Sequence, residues 1–174
     1  MPVIEIKKIF LPLLLCASSC VFAAGFDSDY EEKPWEEIES TIPSFPNPEN
    51  LVSFYVSATA ENKFTVDRDS ISVGADGVVR YTLVITSPSG VQNVSYEGLR
   101  CSSAERRLYA FGRSDKTWSK ARSNQWLRIQ ESTVNRHHAV LYGEYFCPSA
   151  IAVRDAEEAR MALRLGGHPS TVRR

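Results

Sequence analysis

Two strand-length runs, Val78–Ser87 and Val91–Cys101, flank the turn residues Pro88-Ser89-Gly90, and this pairing constrains the chain more than any other segment. In the first run Val79, Tyr81, Leu83 and Ile85 alternate with Arg80, Thr82, Val84 and Thr86, the period of two that sends successive side chains to opposite faces of a strand. The reading is a long antiparallel hairpin whose second strand ends on a cysteine. Upstream, Leu51-Val52-Ser53-Phe54-Tyr55-Val56 fits a first strand. Phe64-Thr65-Val66 and Ile71-Ser72-Val73 read as two short strands around the polar turn Asp67-Arg68-Asp69-Ser70. Gly74-Ala75-Asp76-Gly77 then reverses the chain, because Asp-Gly tolerates the positive φ of tight hairpins. Downstream, Arg106–Gly112 makes a further strand, with Leu108, Ala110 and Gly112 on one side and Tyr109 and Phe111 on the other. In segment 139–146, Leu141, Tyr142, Tyr145 and Phe146 keep helical spacing, with a strand as the other reading. Ala150–Leu165 has a helical composition stopped by Gly166-Gly167 and Pro169. The sum is an α+β domain: a curved antiparallel sheet of five or six strands with one or two C-terminal helices packed on it.

The beginning of the 174-residue chain has a different character. Lys7-Lys8, the apolar run Ile9–Leu15 and the small-residue pattern Val21-x-Ala23 are the charged start, hydrophobic stretch and cleavage site of an export signal. This divides the chain into a signal peptide over 1–23, an arm over 24–50 and a single domain over 51–174, periplasmic after cleavage near Ala23. Ala17-Ser18-Ser19-Cys20 keeps a second processing form open, a lipoprotein anchored at Cys20, and a membrane is a partner only in that form. Signal cleavage near Ala23 leaves Cys101 and Cys147, which in an oxidising compartment pair most simply with each other. Closing a loop of roughly 45 residues stabilises by about 4 kcal/mol in the chain-entropy treatment. Neither cysteine lies in a C-x-x-C pair, which argues against thiol chemistry.

A net charge of −1 conceals two segments of opposite sign. From Phe26 to Asn50, Asp27, Asp29, Glu31, Glu32, Glu36, Glu37, Glu39 and Glu49 stand against Lys33 alone. From Arg100 to Arg136, nine basic residues stand against Glu105, Asp115 and Glu131. The acidic stretch runs into Ile42-Pro43-Ser44-Phe45-Pro46-Asn47-Pro48, whose prolines favour extended backbone, so it reads as an arm anchored by Trp35, Ile42 and Phe45.

Asp76-Gly77-Val78-Val79-Arg80-Tyr81-Thr82-Leu83-Val84, Ser89-Gly90-Val91-Gln92-Asn93-Val94-Ser95-Tyr96-Glu97-Gly98-Leu99-Arg100-Cys101 and Tyr145-Phe146-Cys147-Pro148, with Pro34-Trp35-Glu36 near the start, resemble the cryptic neisserial protein family of exported bacterial proteins. The resemblance covers most of the chain beyond the signal and places both cysteines inside its motifs. It implies a shared fold and export, and no mechanism.

Two sets of residues are candidates for binding. Arg80, Asn93, Tyr96, Glu97 and Arg100 gather on the hairpin, where an arginine can meet a carboxylate across strands; such a cluster either holds an anion or pins the register as an ion pair. Arg106, Arg107, Arg113, Lys116, Lys120, Arg122 and Arg128 interleave with Tyr109, Phe111, Trp118 and Trp126, a pattern that grips anionic polymers by charge and stacking. In the periplasm the target is an anionic envelope polymer or an acidic protein surface, not nucleic acid, and the simplest is the chain's own acidic arm folded back. A solvated charged face is the plain alternative. His137-His138 lacks H-E-x-x-H or carboxylate spacing, so no metal is expected, and no cofactor motif is present. No G-x-S-x-G elbow occurs. The function expected is an envelope binding or structural module. The alternative is a small periplasmic hydrolase using Glu97 with Arg80 or Arg100.

Overall fold

A computed structural model gives the structure of the protein and describes residues 33–132 and 135–171. The expected signal peptide, Cys20 and the arm as far as residue 32 lie outside the described residues. The elements that follow all belong to the unit Trp35–Arg174.

One open antiparallel sheet carries the fold, in the spatial order of the sequence: β1 (Leu51–Ser53), β2 (Lys63–Val73), β3 (Val78–Thr86), β4 (Gln92–Arg100), β5 (Glu105–Gly112) and β6 (Trp118–Lys120). A two-residue β7 (Leu127–Arg128) pairs with the other end of β5. The hairpin is in the expected place, β3 and β4 pairing without a slip from Val78↔Arg100 to Thr86↔Gln92. Its turn is closed by Gly90 N donating to Ser87 O, with Gly90 at φ +86°, a conformation that costs a Cβ-bearing residue.

Two readings of the strands need correction. The polar stretch Asp67–Ser70 is no turn between two strands but a bulge inside β2. Asp67 pairs with Thr82 and Ser72 with Arg80, so four residues stand opposite Tyr81 alone. Local polar bonds hold the bulge: Ser70 Oγ donates to Asp67 O at 2.7 Å and accepts from Thr82 N at 2.8 Å. In β5 the strict alternation fails because Tyr96↔Ala110 is followed by Glu97↔Leu108, leaving Tyr109 as an extra residue. Tyr109 therefore packs on Gly98, while Phe111 lies opposite Ser95 on the other face. Bulges of this kind bend the strands that carry them.

One face of the sheet is covered by helices. α1 (Arg136–Val140) runs on into a π-helical segment, Leu141–Phe146, so the helical reading of 139–146 stands; α2 (Ala156–Leu165) starts later than the composition suggested. Asp155 caps α2 by accepting from Glu158 N, and Gly166 ends it in the left-handed region. Between helices and sheet lie Phe54, Val66, Tyr81, Leu83, Leu99, Leu141, Tyr145 and Phe146, all buried. At roughly 1.5–3 kcal/mol for each large side chain taken out of water, this core outweighs any single polar contact. Cys101, just past the end of β4, is bonded to Cys147, 46 positions on, at a Cα–Cα distance of 5.3 Å. The bond ties the π-helical segment to the hairpin.

Candidate functional site

The other face of the sheet is covered by residues 35–48. Val78 to Val84 are consequently buried on both sides, and Arg80 and Thr82, the polar members of the alternation, are 2% and 0% exposed. Arg80 survives burial because its charge is matched. Its Nη2 lies 2.6 Å from Asp76 Oδ2, donates to Ile38 O at 2.9 Å and approaches Glu37 at 3.5 Å. Burial pushes the Asp76 carboxyl up, but the Arg80 guanidinium and the N–H groups of Ile38 and Val78 outweigh it and hold the carboxyl below its usual range.

Glu37 is the arm's anchor. Its carboxylate takes hydrogen bonds from the Arg107 guanidinium, from Tyr109 Oη at 2.7 Å and from Trp126 Nε1 at 3.1 Å. Burial, together with the Glu37 carboxylate, pushes the Tyr109 hydroxyl well above its ordinary pKa, keeping it a donor. Trp35, an expected anchor, donates from Nε1 to Asp76 O at 2.8 Å, packs edge-on against Trp126 and lies 3.8 Å beneath the Arg100 guanidinium. Phe45 packs with its ring tilted against Trp118, whose Nε1 donates to Pro43 O at 2.9 Å. Ile42 is half-buried. Gly98 makes room for this surface: a Cβ there would stand 2.6 Å from Tyr109 Oη. Part of the basic aromatic segment thus binds the chain's own acidic arm.

The hairpin cluster expected from sequence does not come together. Arg80 pairs across the sheet with Gly98, whereas Tyr81 pairs with Glu97, so Arg80 and Glu97 point to opposite faces. Arg80, Tyr96 and Arg100 belong to the arm side. Glu97, with Asn93 four residues back on the same face, belongs to the helix side. No arginine hydrogen-bonds Glu97 among the described residues. Its Oε2 lies 2.7 Å from His138 Nε2 and 3.4 Å from Tyr81 Oη, and its Oε1 accepts from Ser95 Oγ at 2.7 Å. Burial raises the Glu97 carboxyl, but His138 and Ser95 more than reverse this, so it is lowered and ionised. The pairing of Glu97 with Arg80 or Arg100 that a hydrolase would need is absent.

Sequence reasoning missed His138 as the partner of Glu97, and with it the packing of the adjacent His137 and His138. Both are buried, with ring centroids 4.0 Å apart, and His137 stacks on Phe64. Burial, with His138 beside it, lowers His137 to about 4. Among the described residues no group of three or more His, Cys, Asp or Glu side chains is placed to hold a metal ion.

The basic segment is also split by the sheet. Arg107 faces the arm. Arg106, paired with Leu127, faces the other way and lines an open groove of about 410 Å³ with Phe111, Lys120, Arg122 and Leu127. Phe111 and Leu127 are 51% and 49% exposed there. Arg113 donates to Ser119 Oγ, Lys116 occupies the β5–β6 turn at φ +62°, and Arg128 lies opposite Glu105.

Fold and surface together define a small α+β protein with an open antiparallel sheet, closed by a disulfide on its helical face and strapped by an acidic arm on the other. The chain belongs to the CNP1-like family, whose model matches residues 30–164; this is a family of bacterial proteins of unknown function. No curated protein and no solved structure matches it.

Proposed function

We propose that the protein is an exported, non-catalytic binding module of the bacterial envelope whose groove along β5, β6 and β7 takes an anionic polymer or the acidic surface of a protein. One observation carries this reading: within the basic segment the arm engages Arg107 and leaves the groove cations unmatched. Arg107 is paired with Glu37 of the arm. Arg106, Lys120 and Arg122 form no ion pair among the described residues and line the groove beside exposed Phe111 and Leu127. Cations over apolar surface suit a ligand that offers negative charge and a flat face.

Export through residues 1–23 with cleavage near Ala23, or lipidation at Cys20, completes the proposal. The Cys101–Cys147 bond supports it, since such bonds persist in oxidising compartments. The likeness to exported cryptic neisserial proteins, carried by the hairpin motifs, supports it too. The test is retention on immobilised polygalacturonate across a salt gradient. The wild-type chain elutes only as salt rises, and the double variant Lys120→Glu, Arg122→Glu elutes much earlier, because exposed charge contacts are screened within about 10 Å at 0.1 M salt. Co-elution of the two proteins would refute the groove.

A further inference from the structure

A second cavity, of about 250 Å³, opens between β5, β7 and the start of α1. Arg106, Gln130, Asn135 and His138 line it together with the apolar Leu127 and Ile129. It adjoins the groove, since Arg106 and Leu127 line both. We propose that this cavity binds an oxyanion group, a carboxylate or a phosphate, between the Arg106 guanidinium and Nδ1 of His138. The proposal rests on the groove reading and names the part of the ligand that the groove would present.

His138 carries the argument. It is 4% exposed, and its Nε2 is fixed by Glu97, an ionised acceptor, so that nitrogen carries a proton. Its Nδ1 is buried with no hydrogen-bond partner among the described residues. A buried polar atom without a partner forfeits its hydration, and a ligand bonded there would recover that loss. The ring is held for that purpose. Glu97 is itself held by Ser95 and Tyr81, and His138 rests against His137, so the imidazole is positioned before any ligand arrives.

Arg106 supplies the charge. It is half-buried, hydrogen-bonds no side chain among the described residues, and presents a guanidinium shaped for carboxylate and phosphate. Its position beside the histidines is visible electrostatically, because its charge lowers both Glu97 and His137. No Asp or Glu lines the cavity among the described residues. A cation would be repelled by Arg106, and a neutral hydroxyl would satisfy an unprotonated Nδ1 while leaving the guanidinium unmatched. An oxyanion satisfies both when the imidazole carries its second proton at Nδ1, which then donates to the anion as the guanidinium does, with the amides of Gln130 and Asn135 as further donors.

The experiment titrates the full chain with inorganic phosphate and, separately, with a galacturonate trimer at constant ionic strength, following the ring nitrogen resonances of His138. A saturable shift at His138 Nδ1 is expected, weakened tenfold or more by Arg106→Gln and unchanged by Lys63→Gln at an exposed position on β2. Tighter binding of the trimer identifies the group as part of a polymer; saturation by phosphate alone identifies a free anion. Both outcomes support the site. No saturable shift with either anion overturns it. That failure is distinct from failure of the groove, which is read by the retention of the Lys120 and Arg122 variant.

Discussion

Replacing Glu37 by Gln tests whether the arm is held by one carboxylate. The amide keeps the shape but loses the charge, and it places an NH₂ group opposite donors from Arg107, Tyr109 or Trp126. Hydrogen bonds to charged groups are worth about 1.5–3 kcal/mol each, and a donor left unmatched adds its own desolvation cost. The Glu37 and Arg107 side chains are 16% and 20% exposed, so water compensates in part. A loss of about 2–3 kcal/mol follows, on the order of 5–10 °C in Tm for a chain of this size. The assay is thermal unfolding with tryptophan emission, because all three tryptophans, Trp35, Trp118 and Trp126, lie at the junction of arm and sheet. Glu37→Gln should melt early and shift emission to the red before the core unfolds. Glu36→Gln, at an exposed neighbouring position, should do neither. If Glu37→Gln matches the wild type in Tm and emission, the arm is not held by this carboxylate and the reasoning fails.

Acid should loosen the helical face through His137. Its folded value of about 4 lies below its ordinary 6.5, so the unfolded chain binds more protons in that window. The stability is present above pH 6.5 and is lost as pH falls toward 4, by up to about 3 kcal/mol. Denaturant unfolding at several pH values should therefore show a slope that His137→Phe flattens, and an unchanged slope would count against it. Gly98→Ala should displace the Tyr109 ring, because the new Cβ would lie 2.6 Å from the hydroxyl and 3.0 Å from Val78 Cγ1. Overpacking of this sort costs about 1–3 kcal/mol, readable in the unfolding midpoint; a variant as stable as wild type would show that the ring yields freely.

The β3–β4 hairpin was legible because its register is local. A three-residue turn and a strict period of two leave only one pairing, and that pairing runs through nine residue pairs. The β2 bulge was illegible because Asp67–Ser70 has the composition of a turn. Only the bonds that Ser70 makes to Asp67 O and Thr82 N, the second across the sheet, tell bulge from turn. A single inserted residue, Tyr109, likewise reversed the faces assigned along β5, and no alternation pattern announces which residue will be the extra one.

The amino-acid sequence by itself determined the α+β class, the hairpin and its turn, the Cys101–Cys147 pairing, and an acidic arm able to meet a basic segment. Each follows from neighbours along the chain or from simple counting of residue types. The tertiary structure alone decided which carboxylate meets which cation. Arg80 and Glu97 were on the right hairpin, but strand geometry sends Arg80 to Asp76 and the arm, and Glu97 to His138, 41 positions away. Arg106 and Arg107 are adjacent in sequence and divided by the sheet, one toward a groove and the other under Glu37. A side chain's partner depends on which face it occupies and on what covers that face. Covering is a property of the packed layers, not of the order of residues.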